Sequence, residues 1–145
     1  MTTVKNPYID QDTGTFKNKL GINNADDLHK AEYIASSNRA REFRENPIPG
    51  NYDLTHMSAV HKHLMQDVYD WAGKTRTLNF SKKDAFEKDW TTKFAPAKDL
   101  EHLSKQISDE LKEKNFLKNL DKDSFVKELT NTYTKINYLH PFPEG

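Results

Sequence analysis

Apolar residues recur three or four apart in three stretches of this chain, and in one stretch between them they alternate instead. That single change of period does most to limit the fold. After Asp53, a candidate N-cap, Leu54, Met57, Val60, Leu64 and Val68 mark one face of a helix expected to end near Trp71, with Gly73 in the left-handed position beyond it. After Pro96 the helical period returns in Leu100, Leu103, Ile107 and Leu111, and again in Phe125, Leu129, Ile136 and Leu139 of a last helix starting near Asp123. Phe116, Leu117 and Leu120 suggest a short helix between the two. An earlier helix is expected over "NADDLHKAEYIASSNRAREF", with Asn24 as N-cap and Asp26 and Asp27 at its positive end. It stops at "ENPIPG", where Pro47, Pro49 and Gly50 enforce a turn.

The alternating stretch is "TRTLNFSK". Leu78 and Phe80 interleave with Thr77, Asn79 and Ser81, the two-residue period of a half-buried strand. "WTTKF" at 90–94 is placed to return beside it, with "KDAFEKD" at the tip, so the fold reads as mostly α with one small β-hairpin over about 75–96. The core is lean: Leu, Ile, Val and Phe number 30 of 145 residues. Zero net charge and the area of two tryptophans and six tyrosines still favour folding over disorder.

Charge and residue usage remove several functions. Lys+Arg and Asp+Glu both stand at 22 without a like-charge block, so the footprint of a nucleic-acid binder is missing. Without cysteine there are no disulfides or thiolate metal sites. No stretch approaches the roughly 20 apolar residues of a membrane span, and "MTTVKNPYIDQDTG" lacks a signal core. A cytoplasmic protein is expected, with export by a signal-independent route left open.

Candidate chemistry sits in the final stretch, "INYLHPFPEG". Pro141 ends the helix and disfavours helical geometry at His140, pushing it toward an extended conformation. Pro143 stiffens the next step, so His140 and Glu144 are held in place while Phe142 between them anchors inward. A general base needs such placement, because proton transfer depends on geometry before pKa. On "HPF" alone the plainer reading has the advantage: His140 ends a helix, Phe142 fills the core, and Glu144 is a solvated loop acid. The other five histidines offer no metal site. His61 and His63 point apart on a helix, His56 and His63 are too widely spaced, and His29 and His102 stand alone. All five are expected to be solvated or half-packed, and Tyr69 and Trp71 to be core.

"HPFPEG" matches the first six positions of H-P-F-x-[D/E]-G-N-G-R-x-x-R, the signature of Fic domains, and the chain resembles that family in further segments in the expected order. "NPYIDQDTGTFKNKLGI" is similar to its N-terminal lead-in. "AEYIASSNRA" and "PIPGNYDLTHMSAVHKHLMQDVYDWAGKTRTLNFSK" are similar to its first two helices and the start of its flap, and "FAPA" at 94–97 to the flap's exit. The resemblance covers residues 1–145 as one domain. It implies a Fic-type helical bundle with a hairpin flap, and a protein adenylyltransferase that moves AMP from ATP to a Ser, Thr or Tyr hydroxyl of a target protein.

By the same resemblance His140 is the base, Glu144 holds Mg²⁺ against the phosphates, and Gly145 opens the backbone nest that binds them. Lys82 and Lys83 are ATP contacts, with ordinary protection of a strand edge as the alternative. Thr75, Arg76, Thr77, Leu78, Asn79, Phe80 and Ser81 form an edge on which the target docks by adding a strand.

The rest of the signature and the helix it opens are not in the sequence, so the C-terminal helices of the bundle read as missing. The chain by itself is expected to be weak or inactive. A toxin- or effector-like role follows from the family. The hexapeptide [S/T]-x-x-x-E-[G/N] of the family's inhibitory helix is absent. A separate small antitoxin supplying that helix is the favoured partner, against an inhibitory helix elsewhere or none. Two alternatives stay open: a catalytically dead Fic-like protein-binding module, and a Doc-like phosphotransferase.

Overall fold

Asn24 opens the first helix through its own side chain, whose Oδ1 accepts the backbone N–H of Asp27 at 3.1 Å. That bond satisfies one of the donors every helix start leaves open. Helix α1 runs over Ala25–Glu45 and closes at Asn46, ahead of Pro47. The computed structural model describes residues 5–83 and 91–145, with Lys82 and Lys83 described in their backbone alone. The chain forms two compact units. The first takes in the residues up to Pro49, His56–Thr75 and Pro143–Gly145; the second takes in Gly50–Thr55 and Arg76–Phe142.

Helix α2, Leu54–Met65, ends well before Trp71, a correction to the sequence reading. Past Met65 the chain turns, and the N–H groups of Val68 and Tyr69 both donate to the Met65 carbonyl, at 3.0 and 3.1 Å. The apolar period outlives the helix because these turns still bury Val68, Tyr69 and Ala72. Periodicity recorded burial here, not helix. Gly73 has the expected positive φ, +79°, but in this turn; a Cβ on it would stand 2.6 Å from the Cβ of Lys62 and 2.8 Å from the Ser58 carbonyl. Leu28, Met65, Val68, Tyr69 and Ala72 form the core of the first unit, with Phe16, Ile22 and Trp71 packed against it.

In the second unit, β1 (Ser81–Lys83) pairs antiparallel with β2 (Thr91–Lys93), Lys82 opposite Thr92. The hairpin is therefore shorter than expected. Thr75–Phe80 form no strand, since their hydrogen bonds go elsewhere: the Arg76 N–H donates to the Pro141 carbonyl at 2.9 Å, and Asn79 Oδ1 accepts the Ala97 N–H at 2.8 Å. The expected tip from Asp84 onward, and Trp90, lie outside the described residues.

Helix α3, Leu100–Glu113, buries Leu100, Ser104 and Ile107. The short helix expected around Phe116 is a single 3₁₀ turn, Asn115–Leu117, with φ of +50°, +52° and +60°. Helix α4, Lys122–Leu139, is capped by Asp121, which accepts the Ser124 N–H at 2.9 Å and the Ser124 hydroxyl at 2.8 Å. Leu139 is fully buried, but Phe125, Val126, Leu129, Tyr133 and Tyr138 of α4 are exposed, in keeping with the lean core. Among the described residues no helix is long and apolar enough to cross a membrane.

Candidate active site

His140 is the C-cap of α4, at φ 40° and ψ 65°. This left-handed backbone corrects the extended one expected from Pro141. Proline disfavours the right-handed helical region for the residue before it, and His140 leaves that region on the left-handed side instead of the extended one. The left-handed one lets the His140 N–H return to the Ile136 carbonyl at 3.0 Å, closing the helix. It also leaves two helix-end carbonyls to a single side chain. Arg76 donates from Nε to the His140 carbonyl at 2.6 Å and from Nη2 to that of Leu139 at 3.1 Å. The same guanidinium donates to the carbonyls of Leu78, at 2.8 Å, and Ala95. A cation at a helix C-terminus is favoured by the helix dipole as well.

Arg76 is thus no part of an exposed docking edge: it is 2% exposed and anchors the backbone that carries His140. Of the other residues assigned to that edge, Thr77, Asn79 and Ser81 are exposed, and Thr75, Leu78 and Phe80 are half-buried. The imidazole of His140 has a contact of its own. The ring of Phe94, the residue after β2, stacks on it with centroids 4.0 Å apart and planes 12° from parallel.

The acidic end of the motif belongs to the first unit. The Glu144 carbonyl accepts a hydrogen bond from His61 Nε2 at 2.8 Å, and His61 Nδ1 accepts the Gly73 N–H at 2.9 Å. His61 is 5% exposed, which corrects its expected place among the solvated or half-packed histidines. Burial lowers its pKa, against a smaller opposing effect of the Glu144 carbonyl. Gly145 has φ +95°, and a Cβ on it would stand 2.6 Å from Met65 Cε and 3.1 Å from His61 Nε2. The positive φ favours glycine there, and a Cβ would also have to displace the end of the Met65 side chain.

Glu32 also lies in this unit. Its carboxylate accepts the Tyr69 hydroxyl at 2.6 Å. Burial raises the pKa of Glu32 and the charge of Glu144 adds to the rise, while the Tyr69 bond opposes it. Burial likewise raises the Tyr69 hydroxyl, helped by its bond to Glu32. Among the described residues no group of three or more His, Asp or Glu side chains could hold a metal by itself. Glu144 offers one half-buried carboxylate, a donor set that suits a hard cation bringing phosphate oxygens and water with it.

The motif's chemistry is therefore built in two places, His140 in the second unit and Glu144 with Gly145 in the first. The side chains of Lys82 and Lys83 lie outside the described residues. Sequence reasoning did not single out His61, Phe94 or Glu32. His61 carried a signal, since it stands four residues from both Met57 and Met65 along the apolar stripe of α2.

The chain resembles known proteins in both sequence and fold. The chain is 36% identical over 139 residues to the protein adenylyltransferase VbhT of Bartonella schoenbuchensis, covering 96% of this chain and 28% of that protein. It is 31% identical over 141 residues to the probable protein adenylyltransferase Fic of Salmonella typhimurium, covering 97% of this chain and 66% of that one. Among solved structures it is similar to the N-terminal Fic domain of a VirB-translocated Bep effector protein from Bartonella quintana with bound ADP. That likeness has a TM-score of 0.84 at 26% identity and covers 95% of this chain and 68% of that one. Residues 51–145, the stretch that holds His61, Arg76, Phe94 and His140, match the Fic/DOC family, and the chain belongs to that family.

Proposed function

We propose that the chain carries catalytic groups of a protein adenylyltransferase, which moves AMP from ATP onto a Ser, Thr or Tyr hydroxyl of another protein. The observation that carries this reading is the immobilised imidazole of His140, its backbone tied to Arg76 and its ring stacked on Phe94. A base so fixed spends no reaction time finding its orientation. Near neutral pH an ordinary imidazole is largely unprotonated and able to accept. As the target hydroxyl oxygen bonds to the α-phosphorus of ATP, its proton passes to a ring nitrogen of His140. The bond from that phosphorus to the bridging oxygen breaks, and pyrophosphate leaves.

Relatives named as adenylyltransferases, and a similar Fic domain with bound ADP, support the nucleotide as substrate. Glu144 would hold Mg²⁺, which when bound offsets the charge of the phosphates. Gly145, with its positive φ, would open the nest of N–H groups around them. Lys82 and Lys83 would contact ATP. The target would add a strand beside the hairpin, whose β2 is exposed throughout, and a small antitoxin would restrain the site with a helix of its own.

The test incubates the full-length protein with a cell lysate and ATP labelled at either the α- or the γ-phosphate. Label from the α-position, reduced about a thousandfold or more in His140→Ala, is the expected result. Label from the γ-position alone would make the protein a phosphotransferase, and none from either position would leave a binding module.

A further inference from the structure

We propose that His61 is a positioning residue that ties the Glu144–Gly145 corner of the motif to the turn ending in Gly73. The Gly73 N–H points at Nδ1, 2.9 Å away, so Nδ1 acts as acceptor and carries no proton. The neutral ring then keeps its proton on Nε2, where it is donated to the Glu144 carbonyl at 2.8 Å. One buried imidazole therefore spans two backbone groups, the first 12 and the second 83 residues along the chain. The ring itself is held beside Trp71, with centroids 6.1 Å apart and planes 19° from parallel.

Two features of Gly145 depend on the same ring. The glycine lies so close that a Cβ would meet Nε2 at 3.1 Å, and its φ is +95°. The carbonyl that His61 holds belongs to the residue whose carboxylate faces the phosphates in the proposed reaction. It also precedes the Gly145 N–H directly. Fixing that peptide plane fixes the first amide of the nest and the Cα from which the acid projects. The consequence for catalysis rests on the adenylyl-transfer reading; the tie between the two backbone segments does not. A histidine that only filled space would need neither nitrogen aimed at a backbone group, and a leucine would pack as well.

The experiment compares the isotopically labelled 145-residue chain with His61→Gln and His61→Leu by NMR, without nucleotide, beside their thermal midpoints. The expected ring signature in the native chain is the neutral Nε2–H tautomer. In His61→Leu the Gly145 amide loses order and the Gly73 amide exchanges roughly tenfold faster, as the loss of one hydrogen bond implies. In His61→Gln, which returns a donor at about the reach of Nε2, the Gly145 amide stays ordered whatever happens to the midpoint. An Nδ1–H tautomer overturns the proposal. So does a Gly145 amide as ordered in His61→Leu as in the native chain, or a Gln variant that behaves like the Leu variant. If the Leu variant does not fold, the native tautomer and the Gln variant still decide. The labelled-ATP assay described above separates the two readings: no transfer of label, with the tautomer and the order as expected, removes the proposed function and leaves His61 as the tie.

Discussion

The ring of Phe94 lies flat on the imidazole of His140, 4.0 Å between centroids. Backbone bonds on either side put it there: the Phe94 N–H donates to the Phe80 carbonyl at 3.2 Å, and the Ala95 N–H to that of Tyr138 at 2.9 Å. The stack covers one face of the base and sets its tilt. Replacing Phe94 with Leu keeps an apolar contact but not the plane. Turnover of the full-length protein is expected to fall about tenfold with little change in the KM for ATP, because orientation of the base matters to the transition state and not to nucleotide binding. Phe94→Tyr should retain most of the rate. A rise in KM at unchanged kcat would place Phe94 with the nucleotide instead.

Arg76 anchors the backbone of the same corner. Its side chain donates to the carbonyls of Leu78, Ala95, Leu139 and His140 while almost wholly buried. Lysine has one ammonium and no planar fork, so Arg76→Lys leaves buried carbonyls without donors. At roughly 1–3 kcal/mol for each buried group left unsatisfied, a loss of about 3 kcal/mol or more is expected in urea unfolding. A change under about 1 kcal/mol would mean that water or the lysine replaces the fork, and that Arg76 is not the anchor.

These two residues show what the sequence reading could and could not reach. The helices were legible because their apolar residues keep helical spacing and because Asn24 can accept a first free N–H; the cap of α4 is Asp121, two residues before the start expected near Asp123. The end of α2 was not, since the turn after Met65 buries the same face that a longer helix would bury. Alternation near Leu78 and Phe80 was real as burial but misread as pairing. Arg76 falls in the same register as those two residues, on the inward side, and a charged residue there was itself a sign that it satisfies buried carbonyls. His140 and Glu144 were found by motif. His61 was passed over because its partners are backbone groups far along the chain, which no spacing rule reveals.

Two helix caps should respond differently to acid. Asn24→Ala removes a neutral acceptor and is expected to cost about 1 kcal/mol at any pH. Asp121 is a carboxylate, and the Ser124 N–H bound to it holds its pKa below the ordinary range. A folded pKa below the unfolded one means that its contribution is present above the unfolded value and is lost as pH falls through the folded one. The stability gap between the native chain and Asp121→Ala should therefore close in acid, below about pH 4, while the Asn24 gap persists. Urea midpoints at a series of pH values measure both. A gap for Asp121→Ala that is constant with pH would contradict the cap.

Glu32 gives the opposite slope. Burial raises its pKa and the charge of Glu144 raises it further, so between the unfolded and folded values the folded chain binds more protons. Stability then falls as pH rises through that window, from about 4.3 upward. Glu32→Gln keeps an acceptor for the Tyr69 hydroxyl and removes the charge. It is expected to match the native chain below the window and to exceed it above. Glu144→Gln takes away one source of the shift, so the Glu32 carboxyl should titrate closer to the ordinary range in that variant. Carbon-detected NMR of the Glu32 carboxyl follows both effects directly. A native Glu32 that titrates at or below the usual glutamate value, or one that ignores Glu144→Gln, would mean that the two acids do not share the field on which a cation at Glu144 would act.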